Sequence, residues 1–528
     1  MLTQLQRCGA TSRAARYLPW LILLILSDDV RADVKMPALF SNHAVVQRDQ
    51  KVPVWGWAAP GEKVKVTIPN QVHTAEADAD GRWQVMLDPL AAGGTFTMVV
   101  EGKNRLEVTD IQVGDVWLCS GQSNMEMSVA DARDGDVEIP AANFPNLRLI
   151  TVATAGSQTP LKDFTGHWEL CTSKTIPQFS AVGYFFGRDM LQNVKVSIGL
   201  IDNSWGGSAC EAWIRRDLLA GNPLYDPMLA EWDKKLAGLD EKKARADFDK
   251  KLAEWEQKAA AARRGGAPEP PGKPWWNSPL TGQLRPANLY HGRLKPIMPY
   301  AIRGVIWYQG ETNADRAYQY REMFPLMIKN WRDDWGQGDF PFYWVQLADF
   351  MPEQNQPGDS AWAELREAQT MTLEKSPNTG QAVIIDLGEA NDIHPKNKQD
   401  VGRRLARLAL AKTVGHKVAH NSPRYKSMYK QGNTILIRLD HVNGRLRTVD
   451  DKPVTGFAIA GSDRKWVWAD AKIVGDGEVE VHSDAVRDPF AVRYAWADNP
   501  VCNLIDSTGL PVTPFRTDQW PGVTVDAK

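Results

Sequence analysis

Between about residues 111 and 420, short apolar runs of strand length alternate with segments of helical periodicity. Val116–Cys119, Val196–Ile201, Ile302–Tyr308, Phe342–Leu347 and Ala382–Leu387 are the strand candidates. Several are apolar throughout, the pattern of strands covered on both faces. Ala181–Leu191, Tyr318–Trp331, Trp362–Leu373 and Gln399–Thr413 are the helix candidates. In the last, Val401, Leu405, Leu408 and Ala409 recur at i, i+4, i+7 and i+8, one apolar stripe. Strand–helix alternation of this kind requires a mostly parallel sheet and predicts an α/β domain over 111–420.

The flanks read differently. Residues 33–110 hold short β-type runs such as Lys63–Ile68 and, after the Asp80-Gly81 turn, the alternating Arg82–Leu87. Short strands at close spacing predict a small β-sandwich-like domain, and residues 421–528, with Thr434–Leu439 and Glu478–Val481, predict a second. Within the α/β region, residues 231–263 form a Lys/Glu-rich, helix-forming insertion whose charges suit a solvated face. Gly265-Gly266 and four prolines up to Pro274 then predict a loop.

Charge excludes one class of partner. Lys+Arg 62 against Asp+Glu 64 leaves a formal charge of -2, so no broad basic face is available to neutralise a nucleic-acid backbone. Arg7, Arg13 and Arg16 precede an apolar run from Leu18 to Leu26, with small residues around Ala32. This predicts a cleaved leader over residues 1–32 and a secreted or periplasmic chain, because the run is shorter than the about 20 residues a membrane span needs. No other stretch is long and apolar enough to span a bilayer. Beyond Cys8 in the leader, Cys119, Cys171, Cys210 and Cys502 allow up to two bridges in an oxidising compartment, in three connectivities. The composition is otherwise ordinary except for 21 Trp. Most suit cores, while Trp275 and Trp276, beside the proline-rich loop, are candidate platforms for sugar rings.

Open parallel sheets bind ligands beyond the carboxyl ends of their strands. Four candidate strands deliver chemistry there. Ser123 follows Cys119 within Ser120-Gly121-Gln122-Ser123-Asn124-Met125, and Gly207 follows Ile201 within Trp205-Gly206-Gly207-Ser208. Asn313 follows Tyr308 within Gln309-Gly310-Glu311-Thr312-Asn313, and His394 follows Leu387 within Asp392-Ile393-His394-Pro395. Each alone has a structural explanation as turn, cap or surface residue. Together they supply a hydroxyl, a base to deprotonate it, and amide donors for the charge that builds on an ester oxygen. No G-x-S-x-G elbow, H-E-x-x-H or paired C-x-x-C motif, Walker loop or dinucleotide fingerprint competes with this set.

These motifs, with Glu211-Ala212-Trp213 and the N-terminal Leu39–Arg48 stretch, resemble the sialate O-acetylesterases of the SGNH hydrolase superfamily. The resemblance runs from about Met36 to about residue 520. It implies a flavodoxin-like, three-layer α/β/α esterase domain with N-terminal and C-terminal β-sandwich-like domains, acting without a cofactor or metal on an O-acetylated sugar. By motif, Ser123 would be the nucleophile and His394 the base. The N–H groups of Ser123 and Gly207 and the Asn313 side chain would form the oxyanion hole, with Gln309 and Glu311 in support. Asp392 would orient His394, although many relatives place that Asp three residues before the His rather than two. Glu311 and Asp386 are the alternatives. Ser208, Cys210 and His291 also depart from the common pattern, which weakens transfer of substrate preference. Acetylated xylan or another polysaccharide is therefore an alternative substrate, and a non-catalytic glycan-binding protein is the alternative from another class.

Overall fold

The computed structural model describes residues 33–268, 270 and 272–527; the expected leader, residues 1–32, lies outside the described residues. Six strands come first: β1 (Val45–Gln47), β2 (Val52–Trp57), β3 (Lys63–Ile68), β4 (Gln71–Glu76), β5 (Arg82–Leu87) and β6 (Thr95–Glu101). β5 alternates exposed and buried residues along its whole length, as a strand with one wet face does. β7 (Arg105–Gly121) then joins two environments. Its first residues pair antiparallel with β6, and its later ones pair parallel with neighbours of the central sheet. Exposed positions recur as far as Thr109, and from Ile111 to Gly121 every residue is buried. The strand thus crosses from one region to the next without a break.

The central sheet continues with β8 (Asn143–Thr151), β9 (Glu169–Thr172), β10 (Ser197–Ser204), β11 (Gly304–Tyr308), β12 (Phe342–Val345) and β13 (Thr379–Ala382). Their order is β13-β12-β11-β7-β10-β8-β9, parallel throughout except for the edge pair β8–β9. The fold is therefore mixed α/β around a mixed sheet. One expected strand is displaced: the run Ala382–Leu387 pairs only at its first residue, because the strand is Thr379–Ala382. Val383 and Ile385 leave the sheet and are buried instead in the C-terminal apolar core. Burial, not pairing, accounts for that apolar run.

The expected helices occur as Ala181–Val194, Ala317–Trp335, Ala361–Lys375 and Lys398–Ala409. Three start at side-chain caps: Ser180 Oγ accepts from Gly183 N–H (3.0 Å), Ser360 Oγ from Ala363 N–H (2.9 Å) and Asn397 Oδ1 from Asp400 N–H (3.1 Å). Ala181–Val194 packs on Lys398–Ala409, and Ala317–Trp335 on Ala361–Lys375. The charged insertion forms two helices, Asp226–Ala237 and Glu241–Arg264, separated at Gly238. In the second only Ala259 is buried, so its charges face solvent.

The C-terminal region contains two four-stranded antiparallel sheets. Ile435, Ile437, Val479 and Val481 from one and Ile459 and Val492 from the other share one apolar core. Cys119, Cys171, Cys210 and Cys502 are all free. Burial pushes the Cys171 and Cys502 thiols up to about 12, so they are poor nucleophiles. Among the described residues no helix is long and apolar enough to cross a membrane.

Candidate active site

Because β7, β10 and β11 are parallel neighbours, the residues that follow them emerge at one rim. β7 ends at Gly121, whose φ of 140° belongs to glycine; a β-carbon there would lie 2.1 Å from the Tyr308 carbonyl oxygen. The close approach lets Gln122 N–H donate to Tyr308 O (2.9 Å) and turns the chain into Ser123, the first residue of a short helical turn. After β10, Gly207 adopts a left-handed φ of 69°. His394 arrives from the loop beyond β13.

Ser123 Oγ and His394 Nε2 are 2.8 Å apart. The Ser123 and Gly207 N–H groups have no acceptor among the described residues, which leaves two backbone donors beside the hydroxyl. Gly206 N–H, by contrast, donates to Glu126 Oε2 (2.6 Å). Burial, the largest influence, pushes the His394 pKa below its ordinary value; Asp392 opposes that shift and Lys398 adds to it. The imidazole is thereby biased toward its neutral, proton-accepting form.

The three carboxylates considered for orienting His394 occupy different places. Asp392 Oδ1 lies 3.5 Å from His394 Nδ1, too long for a normal hydrogen bond, and accepts the His394 backbone N–H at 2.9 Å. Glu311 Oε1 accepts from Asn124 Nδ2 (2.6 Å), and burial raises its pKa. Asp386 is held by Arg404 through two bonds of 2.6 and 2.7 Å. Of the three, only Asp392 is within ion-pair distance of the imidazole.

Asn313 and Gln309 lie beneath the rim, fully buried. Asn313 Oδ1 accepts from Cys210 N–H (2.9 Å) and Gln309 Nε2 (2.7 Å), while its Nδ2 donates to Glu211 Oε2 (2.9 Å). That clamp leaves one amide hydrogen of Asn313 uncommitted. Glu211 is itself held by Arg316 at 2.7 Å. Gln309 also donates to Ser208 O and accepts from the Tyr320 hydroxyl, so it supports Asn313 rather than facing the rim.

Three contributors went unassigned in the motif reading. Gln122 lines the hollow beside Ser123; its Oε1 accepts from Gly310 N–H (3.2 Å), leaving Nε2 without a protein acceptor among the described residues. Asn124 joins Glu311 to Lys398, whose Nζ donates to Asn124 Oδ1 (2.5 Å), and its Nδ2 also holds the Ile393 carbonyl (2.9 Å). Lys398 is fully buried, which lowers its pKa to about 7. A sequence signal existed: Lys398 stands three residues before Val401 on the apolar stripe, where a charge requires a buried partner.

Two hollows meet at the Ser123–His394 pair. The larger, about 910 Å³, is polar and includes Glu126, Asp131, Asp202 and Asp392 against Arg293 and Lys396. Arg293 is buried and bonded to Asn203 Oδ1 and Val152 O, with Nη1 lacking a partner among the described residues; burial lowers its pKa to about 10. Asp202 is pushed up to about 7 by burial. The smaller hollow, about 460 Å³, is bounded by Gln122, Gly207, Ile393 and Trp275. Among the described residues no group of three or more His, Cys, Asp or Glu side chains is gathered as a metal site requires.

Known proteins are similar to this chain over most of its length. The family described as carbohydrate esterase, sialic acid-specific acetylesterase matches residues 113–246 and 280–411. The chain is 28% identical to the sialate O-acetylesterase of Mus musculus over 94% of its own length and 96% of the relative's, with the same figures for the Homo sapiens protein. Among solved structures, a carbohydrate acetylesterase from Xanthomonas citri is 39% identical and superposes with a TM-score of 0.78, covering 92% of this chain and 100% of that one. The chain belongs to the carbohydrate esterase family of sialic acid-specific acetylesterases.

Proposed function

We propose that the chain is a secreted serine O-acetylesterase that removes acetyl groups from sugar hydroxyls. The observation that carries this reading is the 2.8 Å contact between Ser123 Oγ and His394 Nε2, at the meeting of two hollows. His394 takes the Ser123 proton as Oγ bonds to the acetyl carbon. The resulting oxyanion is met by the Ser123 and Gly207 N–H groups and the free amide hydrogen of Asn313. Such donors are each worth about 10²–10³ in rate. Collapse expels the sugar oxygen, which receives the proton from His394 and leaves acetyl-Ser123. His394 then deprotonates a water that attacks this ester, releasing acetate and returning the proton to Ser123. Asp392 steadies His394 through its backbone N–H and by charge.

The same reading carries the architecture. The paired helices fit a three-layer α/β/α domain over 111–420, and the two C-terminal sheets sharing a core fit a sandwich-like domain over 421–528. Residues 33–110 are the N-terminal β domain, and the leader 1–32 directs export.

Sialic acid is the acetylated sugar in the names of the relatives. A second reading, a neutral polysaccharide such as acetylated xylan, is favoured by the larger hollow, where the Glu126, Asp131 and Asp392 carboxylates outnumber Arg293 and Lys396 and oppose a sugar carboxylate. Acetate release from O-acetyl sialic acid and from acetylated xylan, at matched acetyl concentration, decides between them. The Ser123→Ala protein is expected to release acetate from neither; retained turnover would sink the serine assignment.

A further inference from the structure

The segment between the helix Glu241–Arg264 and Leu280 lies outside the residues matched by the family, 113–246 and 280–411. Its side chains divide into two sets. One set ties the segment to the helix. Trp255 Nε1 donates to Pro270 O (3.1 Å), and the Trp276 ring packs on Phe248 at 5.3 Å with the Arg245 guanidinium 5.2 Å from its centroid. Lys273 lies 5.6 Å from the centroid of Trp255. The other set is Trp275. It is 58% exposed, and its ring borders the smaller hollow together with Ser123, Gly207 and His394. A β-carbon at Gly207 would meet its Cη2 at 3.6 Å.

An indole whose task is packing lies against a neighbour, as the partly buried Trp276 does against Phe248 of the helix. Trp275 instead holds much of its surface open within reach of the hydroxyl that would attack the ester. Pyranose rings present C–H groups of slight positive charge on their faces, and an indole face is the negative side of its quadrupole. We propose that Trp275 is a stacking platform for a sugar ring of the acetylated substrate, supplied by a segment outside the family's matched residues and anchored by Trp276 and Trp255. The proposal rests on the serine esterase reading above for the location of the reacting ester.

The test has two arms. Steady-state kinetics on the sugar ester that the native protein hydrolyses are compared for Trp275→Ala and Trp275→Phe. Loss of the stacking contact and of its buried area predicts a KM about tenfold higher for Trp275→Ala, a smaller change in kcat, and recovery of most of the loss by Trp275→Phe. In the second arm, calorimetric titration with acetylated xylotriose and with O-acetyl sialic acid compares Ser123→Ala with Ser123→Ala/Trp275→Ala. The double variant is expected to bind the recognised sugar about tenfold more weakly. Equal affinity in the two proteins, no binding of either sugar by Ser123→Ala, an unchanged KM, or a Phe variant no better than Ala would each overturn the platform. Turnover by Ser123→Ala would overturn the serine reading instead, while the kinetic arm still reports on Trp275.

Discussion

Ser123 and His394 are 271 positions apart in the chain and 2.8 Å apart in space. What sequence made visible at this scale was residue type at strand ends, since a nucleophile, a base and amide donors are recognisable chemistry. What it hid was the wiring beneath them. Asn313 is held by Glu211, Cys210 N–H and Gln309, and the loop before His394 is held by Asn124 and Lys398. Those partners are fixed only when distant segments meet. The carboxylate proposed to orient His394 shows the same limit: the motif favours Asp392 over Glu311 and Asp386, but the distances that distinguish the three appear only in the fold. The lowered His394 pKa has a readable consequence. In the proposed mechanism activity requires neutral His394, so kcat/KM should fall with decreasing pH at a midpoint below the ordinary histidine value of about 6.5. Asp392→Asn removes a charge that raises this pKa, so the midpoint should move to still lower pH, with kcat reduced at least about tenfold. A pH–rate profile of both proteins checks the direction.

At the level of elements, periodicity served helices better than strands. The stripe Val401, Leu405, Leu408 located its helix to within a few residues, because 3.6-residue recurrence has a single geometric cause. The run Ala382–Leu387 misled, since unbroken apolarity reports burial without saying whether a strand or a crossing between two cores provides it. The turn out of β7 is the most demanding local feature. Gly121 combines a φ of 140° with a Tyr308 carbonyl where a side chain would begin. Gly121→Ala should therefore displace the Gln122–Ser123 turn, and a shift of about 1 Å is enough for a loss near 10²-fold. A lowered melting temperature should accompany it, because the clash is with backbone rather than a mobile side chain. Kinetics and thermal melting of that variant are the check. An unchanged kcat would show that the turn tolerates the shift.

Across the whole molecule, the regions are joined by specific buried contacts that no local pattern announced. Arg366, fully buried on the helix Ala361–Lys375, donates to the carbonyls of Leu347 and Ala348 on one side and of Ala497 and Asp498 on the other. Glu364 accepts from the N–H groups of Val523 and Thr524 near the chain end. Arginine and glutamate are ordinarily surface residues, and only their positions on the helix face toward the C-terminal region make them ties. Arg366→Met would leave the Leu347 and Ala497 carbonyls without a donor, while Ala348 O keeps Trp362 Nε1 and Asp498 O keeps Phe350 N–H, at about 1–3 kcal/mol for each carbonyl that stays buried and unpaired. Thermal melting should shift downward by several degrees, and limited proteolysis should release the C-terminal region earlier than in the native protein. The central claim, an acetyl group carried on Ser123, is tested most directly by acid-quenching the protein during turnover of an aryl acetate and mapping its peptides by mass. One acetyl group on the peptide containing Ser123, absent from the Ser123→Ala protein, is the predicted result. Steady turnover with acetyl found on another residue, or with an equal signal in Ser123→Ala, would contradict it.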